Sequence, residues 1–482
     1  MEGAVPLRTP RNGSFAERVG DSVHRKRYFT LWLPNGFEPV VVHDQCDHNQ
    51  YISLRNRVQM ECPPVQPVEL GLLRSCARDM APGIGRVDPC GGEWLDNYPG
   101  RKRRLYRRAQ RELAVKPLHR KDRTVKAFIK AEKMPDEPKD PRMIQARGPR
   151  FNLVFGDYTR ALEKHLYKLN GKRLPQWLPR GRVLAKGLNL RDRARLIHQK
   201  FERFGVCHSL DLSRFDAHVS QELLGVCHLF YLRCFRNDRL LRRLLSWQLV
   251  NNCYSSCWHY NSIGGRMSGD MDTALGNCFL MLAIVSVAMR LLGLTPTEWD
   301  CFVDGDDTLL FTRADVSRLP GIFRAMGQEL KIEQTATTYH GIQHCCTRPV
   351  LTVRGRIMVA DPRRVVARTL VGCQHWQDRR FWKPYLGLLG LCNLALHSGV
   401  PVLQAYALML QRWSGGMMPR KLGVADVNFK ALIELRSFAP VETPITPDAR
   451  ASFAEAWGME PDEQRFWERL FAAAPPPWSH GR

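Results

Sequence analysis

Apolar residues along this chain recur with two different periods, and the places where the period changes mark out its elements. Strand-like runs come early, as "YFTLWL" (28–33) and "PVVVH" (39–43), separated by Pro and Gly. Between residues 125 and 150, cations alternate with Pro and with the β-forming Phe128, Ile129, Met143 and Ile144, which predicts extended arms. A helical stretch follows around 158–169. "GVCHSLD" reads as a short strand ending at Asp211, and three- and four-residue apolar steps predict one long amphipathic helix over 221–250. The Gly-rich "GGRMSGDMDTALGNCFLML" (264–282) reads as a loop feeding a buried helix. In "CFVDGDDTLLF" (301–311), apolar residues flank an acidic centre, and Gly305 permits the reversal of a tight hairpin. Then "LPGIFRAMGQELKIEQ" predicts a helix followed by a strand, "GIQHCCTRPVLTVRGRIMVA" a hairpin, and the chain beyond about residue 360 mostly helix.

Composition adds a partner to this pattern. The 482 residues, 44% hydrophobic, suffice for two or three ordinary domains or for one large fold of subdomains. Lys and Arg outnumber Asp and Glu by 72 to 47, a balance of +25 that points to a polyanion, nucleic acid first and anionic membrane second. From Arg101 to Arg111 seven of eleven residues are basic, which also suits a solvated helix face or a localisation signal. The N-terminus lacks the apolar core of a secretory signal, and "CFLMLAIVSVAM", closed off by Arg290, reads as a buried helix rather than a membrane span. Fifteen cysteines, an odd number without repeated C-x-x-C pairs, read as reduced intracellular thiols. His43, Cys46 and His48 have zinc-ligand chemistry, but no fourth ligand is evident nearby.

The acidic hairpin carries the chemistry. Asp304, Asp306 and Asp307 lie within four positions, and at about 4 Å and an effective dielectric of about 20 each like-charge pair costs roughly 4 kcal/mol. A calcium loop would need polar ligands where Leu309 and Leu310 stand. Asp211 ends its own strand, so an antiparallel neighbour would bring its carboxylate beside Asp306 and Asp307. Oxygen ligands converging in this way suit two Mg²⁺ or Mn²⁺ ions, which drive in-line phosphoryl transfer. The cations of the extended arms, Lys130, Lys133, Lys139, Arg142, Arg147 and Arg150, would line a groove for triphosphate or template backbone.

Three segments in order, D-x4-D at Asp211 and Asp216, S-G-x3-T-x3-N from Ser268 to Asn277, and G-D-D at 305–307, resemble motifs A, B and C of viral RNA-dependent RNA polymerases. The finer detail, "DLSRFDAHVS" with "GGRMSGDMDTALGNCFLM", is similar to the tombusvirus-like (carmovirus-like) replicases of positive-strand RNA viruses, with supporting segments over most of 125–470. The resemblance implies an α+β right-hand fold. Residues 1–100 would form an N-terminal fingers extension, 101–204 the fingers with a basic channel, 205–350 the palm with a helical fingers insertion at 221–262, and 351–482 a mostly helical thumb. It implies Asp211 and Asp306 as metal ligands with Asp307 assisting, and Asp216, Ser268, Thr273 and Asn277 as the network that recognises a ribose 2′-hydroxyl. Lys139 and Arg142 would meet the incoming triphosphate. Gly264, Gly265 and Gly269 would let the loop approach the template, Lys331 would protonate pyrophosphate, and Cys345 would belong to the primer grip. The implied partners are a single-stranded RNA template, nascent RNA and ribonucleoside triphosphates. Other replicase subunits, and host membranes reached through a partner, would complete a cytoplasmic replication complex.

The chain departs from the family pattern at three positions. Asp304 stands before GDD and Asp272 in motif B where Asn is usual, and His344 replaces an aromatic residue before Cys345. Two rival readings remain. A reverse transcriptase shares the palm acids but carries an aromatic residue at the Gly305 position; an RNA-packaging protein accounts for the basic runs and leaves the acids without a role.

Overall fold

The computed structural model describes residues 22–98, 100–372, 378–418 and 439–479, so the N-terminal targeting question and part of the last helical region lie outside the described residues. The fold is mixed, with helices packed around two four-stranded sheets. Helix α1, Pro67–Ile84, starts on a proline at its first turn, and α2, Gly100–Val115, carries the arginine run. Strands β1, Val125–Ile129, and β2, Met143–Arg147, are the two extended arms, paired antiparallel, and α3, Pro149–Leu166, follows directly. Helix α4, Leu190–Phe204, is capped by the Asn189 side chain and ends on Gly205 at φ 71°. Strand β3, Cys207–Leu212, and helix α5, Gln221–Cys234, lead to β4, Val250–Tyr254, and β5, His259–Ile263.

The single helix expected over 221–250 is broken. Arg236 and Asn237 take positive φ, Asp238 caps a second helix, Arg239–Ser246, and Val250 already lies in β4. The apolar steps continued across the break because both helices bury the same kind of leucine face, while the Asn–Asp turn signal was local and polar. The helical insertion expected over 221–262 therefore ends in a hairpin, β4 with β5, which extends the arms into a sheet of order β2-β1-β4-β5, with β1 and β4 parallel.

Helix α6, Thr273–Leu291, is buried on every side from Leu275 to Met289. It is long and apolar enough to cross a membrane, and its enclosure makes it the central core helix of this fold. Strands β6, Trp299–Asp304, and β7, Asp307–Thr312, form the acidic hairpin, and β8, Leu330–Ala336, completes a second sheet of order β8-β3-β7-β6. The expected hairpin beyond it is β9, Thr347–Thr352, with β10, Gly355–Ala360. The described residues after it are mainly helical, as the pattern predicted.

Candidate active site

All neighbours in the second sheet are antiparallel, and this brings the acids together. Thr308 pairs with Leu210 and Asp307 with Asp304, so the β3–β7 register carried one residue further sets Asp307 beside Asp211. Gly305, at φ 80°, makes the reversal that lifts Asp306 to the hairpin tip, a conformation L side chains rarely adopt. The electrostatics follow from this crowding. Recess in the cleft and then repulsion from Asp306, Asp304 and Asp211 push the Asp307 carboxyl up to about 6. Burial and the Asp216 charge, with Asp211 behind it, raise Asp306. Among the described residues no three acid, Cys or His side chains are drawn together closely enough to hold a metal ion as they stand.

Asp211, Asp304 and Asp306 open on a cavity of about 1080 Å³, lined also by Asp216, Ser268, Thr273, Asn277, Gly265, Gly269, Lys130, Lys139 and Arg142; Asp307 is not among its lining residues. Asn277 Nδ2 donates to Asp216 Oδ1 at 2.8 Å, joining the first and second sequence motifs; burial raises the Asp216 carboxyl in spite of that bond. Ser268 and Thr273 stand apart from this pair. Ser268 Oγ accepts from the Gln145 amide and donates to the Met143 carbonyl, and Thr273 Oγ1 donates to the Met267 and Asp270 carbonyls. Of the cations lining the cavity, Lys130 and Arg142 gather on Glu132, at 3.3 and 3.7 Å, and hold its carboxyl low against the cost of burying it.

Several expected channel residues lie elsewhere. Arg147 is fully buried: its guanidinium pairs with Asp270 at 3.0 Å and also donates to Asn251, so it ties the arm sheet to the Gly-rich loop and cannot meet RNA. Arg150 pairs with Asp122 in a separate surface depression, and Lys133 donates to the Arg368 carbonyl. Gly264 does not line the cavity: a Cβ there would come within 2.9 Å of the Gln221 amide nitrogen, and one on Gly269 within 2.6 Å of Ala146, so their bareness lets the loop approach its own chain. Lys331 is exposed and in register with Asp211. The Cys345 thiol, on a residue with φ 50°, lies behind the hairpin, 3.6 Å from Asp304 Oδ2. The zinc reading also falls away. His43 Nε2 donates to the Lys139 carbonyl, His48 Nε2 donates to the Ser22 carbonyl, and Cys46 caps the helix that follows it.

The structure accounts for both unusual aspartates. Asp304 is held by Lys186 and Arg193, which keep its carboxyl well below the usual range although burial opposes this, so two cations partly offset the charge it adds beside the hairpin tip. Asp272 is buried against Arg266 at 2.7 Å and accepts from Gln248 and Tyr231 as well. Neither pairing was foreseen from the sequence. Nor was Glu333, which sits where β8 bulges against β3 and whose carboxyl is raised by burial and then by Asp211 and Asp307. Its two-residue spacing from Lys331 on a strand was the available signal.

A family model described as viral RNA dependent RNA polymerase matches residues 34–477. Among curated proteins the chain is similar to the RNA-directed RNA polymerase of Tobacco necrosis virus (strain A), 32% identical over 395 residues, covering 79% of this chain and 53% of that protein. The corresponding protein of Carnation mottle virus is 31% identical over 427 residues, covering 85% and 54%, and that of Turnip crinkle virus 30% over 473, covering 93% and 60%. The chain thus spans between half and two thirds of the length of these relatives. With nearly its whole length matched, the chain belongs to the viral RNA dependent RNA polymerase family.

Proposed function

We propose that the chain is a template-directed RNA polymerase, a nucleotidyltransferase that adds ribonucleoside triphosphates to the 3′ end of RNA with release of pyrophosphate. The observation that carries this reading is the meeting, in one cavity, of Asp211 and Asp306 with the Asp216–Asn277 pair and a cationic rim, at a sheet edge where the register sets Asp307 beside Asp211. The donor set fits divalent metal: every ligand is a hard carboxylate oxygen, and the crowding that raises Asp306 and Asp307 is what a cation relieves. Asp211 and Asp306, with Asp307, would hold two Mg²⁺ or Mn²⁺ ions, which when bound lower the pKa of the attacking hydroxyl and neutralise the leaving pyrophosphate.

The chain's own residues do the rest. Lys139 and Arg142 orient the triphosphate from the rim. Asp216 and Asn277 read the ribose 2′-hydroxyl; the buried Asn277 Oδ1 has no donor among the described residues, and a hydroxyl supplies one. Lys331, in register with Asp211, donates a proton to pyrophosphate. In this reading the acidic sheet is the palm of a right hand, the β2-β1-β4-β5 sheet belongs to the fingers and the C-terminal helices form the thumb, working in a cytoplasmic replication complex. The test is incorporation of labelled nucleotides on an RNA template with Mg²⁺ or Mn²⁺, ribo- and deoxyribonucleotides supplied separately. Ribonucleotide incorporation should vanish in Asp306→Ala while RNA binding persists. An Asp306→Ala protein as active as wild type would remove the reading.

A further inference from the structure

Asp304 and Asp307 are partners across the acidic hairpin, so their side chains leave the same face of the sheet, where like charges directly opposite one another repel. A carboxylate so placed beside Asp306 and Asp307 is a ready further ligand for any cation those two hold. The fold keeps it engaged elsewhere. Lys186 takes Asp304 Oδ1, Arg193 takes Oδ2 at 2.5 Å, and the Cys345 thiol donates to Oδ2 at 3.6 Å.

The two cations are placed differently. Arg193, on α4, is 9% exposed and does not line the cavity, whereas Lys186 is 32% exposed and lines it together with Asp304 and Asp306. The backbone around Lys186 is fixed independently of the ion pair. Residues 183–185 run beside β6: the Val303 amide donates to the Val183 carbonyl at 2.8 Å, the Ala185 amide donates to the Val303 carbonyl at 2.9 Å, and Leu184 bridges Val303 in parallel. The Arg182 guanidinium braces the same segment by donating to the Leu184 and Lys186 carbonyls at 3.0 and 2.8 Å. This edge delivers Lys186 to Asp304 on the side where that carboxylate borders the cavity, adding a second cation to a group that Arg193 already meets from behind. We propose that Lys186 is a positioning residue that withholds Asp304 from the divalent ions, leaving Asp211, Asp306 and Asp307 to set their coordination. It rests on the reading of those three acids as metal ligands. Mg²⁺ demands near-octahedral geometry and gives up water reluctantly, so a further carboxylate would penalise it more than Mn²⁺.

The experiment measures Mn²⁺ binding to the full chain by electron paramagnetic resonance of the unbound ion, counting only the sites lost in Asp306→Ala. Lys186→Met, which keeps the apolar stem and removes the charge, should tighten that binding by about tenfold through the released carboxylate. In the Asp304→Asn background the gain from the same substitution should be smaller by about fivefold, because an amide is a poorer metal ligand. Lys186→Arg should bind Mn²⁺ as wild type does. On an RNA template, Lys186→Met should also raise the ratio of Mn²⁺-supported to Mg²⁺-supported incorporation by about fivefold. A folding defect would not tighten metal binding. Equal gains with and without Asp304 would make Lys186 a distant charge and overturn the proposal. Unchanged Mn²⁺ affinity in Lys186→Met, beside a wild type that binds through Asp306, would overturn it alone, whereas a wild type that binds no Mn²⁺ through Asp306 would remove the metal reading and the proposal with it.

Discussion

The Arg266–Asp272 pair can be broken without changing its shape. Asp272→Asn keeps an oxygen for Gln248 or Tyr231 but removes the charge facing a guanidinium that, among the described residues, otherwise donates to the Cys227 thiol at 3.2 Å. The side chains are 1% and 0% exposed, so neither water nor salt reaches the stranded cation. Uncompensated buried charges of this kind cost about 3–5 kcal/mol; the amide retained in Asn puts the expectation at the lower end, about 3 kcal/mol. Arg266 also helps to hold down Asp216, so its displacement would reach the Asp216–Asn277 pair. The assay is a double-mutant cycle by urea denaturation with Asp272→Asn, Arg266→Met and both together. Each single variant should lose stability, and the pair should recover at least 2 kcal/mol of coupling. Additive losses, or an Asp272→Asn loss below about 1 kcal/mol, would show that the two charges are not the coupled buried pair described above.

Other substitutions probe the remaining contacts. Asn277→Ala should reduce discrimination between ribo- and deoxyribonucleotides by roughly tenfold, the worth of one hydrogen bond, in competition incorporation assays, while RNA affinity stays within twofold. Gly276→Ala would set a Cβ 2.5 Å from the Arg266 guanidinium, so it should destabilise the protein by about 1–3 kcal/mol, read as a lower urea midpoint. Burial lowers His397 to about 4, so below about 6.5 the unfolded chain takes up a proton that the folded chain refuses. Its contribution is present above that pH and is lost as pH falls toward 4. Relative to His397→Gln, wild type should therefore lose about 2 kcal/mol between pH 7.5 and 5 in paired urea titrations, and a pH-independent difference would refute the assignment.

The acidic hairpin was legible because its signals are local: Gly305 supplies the turn, apolar residues on either side supply the strands, and Asp211 ends a strand of matching type. The Asp216–Asn277 bond was legible only through the family resemblance, since 61 positions separate the two. What the sequence hid was the destination of each cation. Arg147 and Arg142 look alike in a basic arm, yet one meets Asp270, 123 residues away, and the other faces the cavity. The same holds for Asp304, whose partner Lys186 lies on a remote segment, and for Gly269, whose bareness answers to Ala146 rather than to a template. Such pairings are decided by packing between distant elements, on which local charge patterns carry no information.

The Arg147–Asp270 link has a practical side. Screening by dissolved ions acts on charges that water can reach, and this pair has no such access, with side chains 0% and 1% exposed. Concentrated salt will therefore strip polyanions from the outer cations while the anchorage between the Gly-rich loop and the arm sheet holds. The protein should withstand a high-salt wash that frees it of adventitious nucleic acid and return with the cavity beside the Gly-rich loop already shaped.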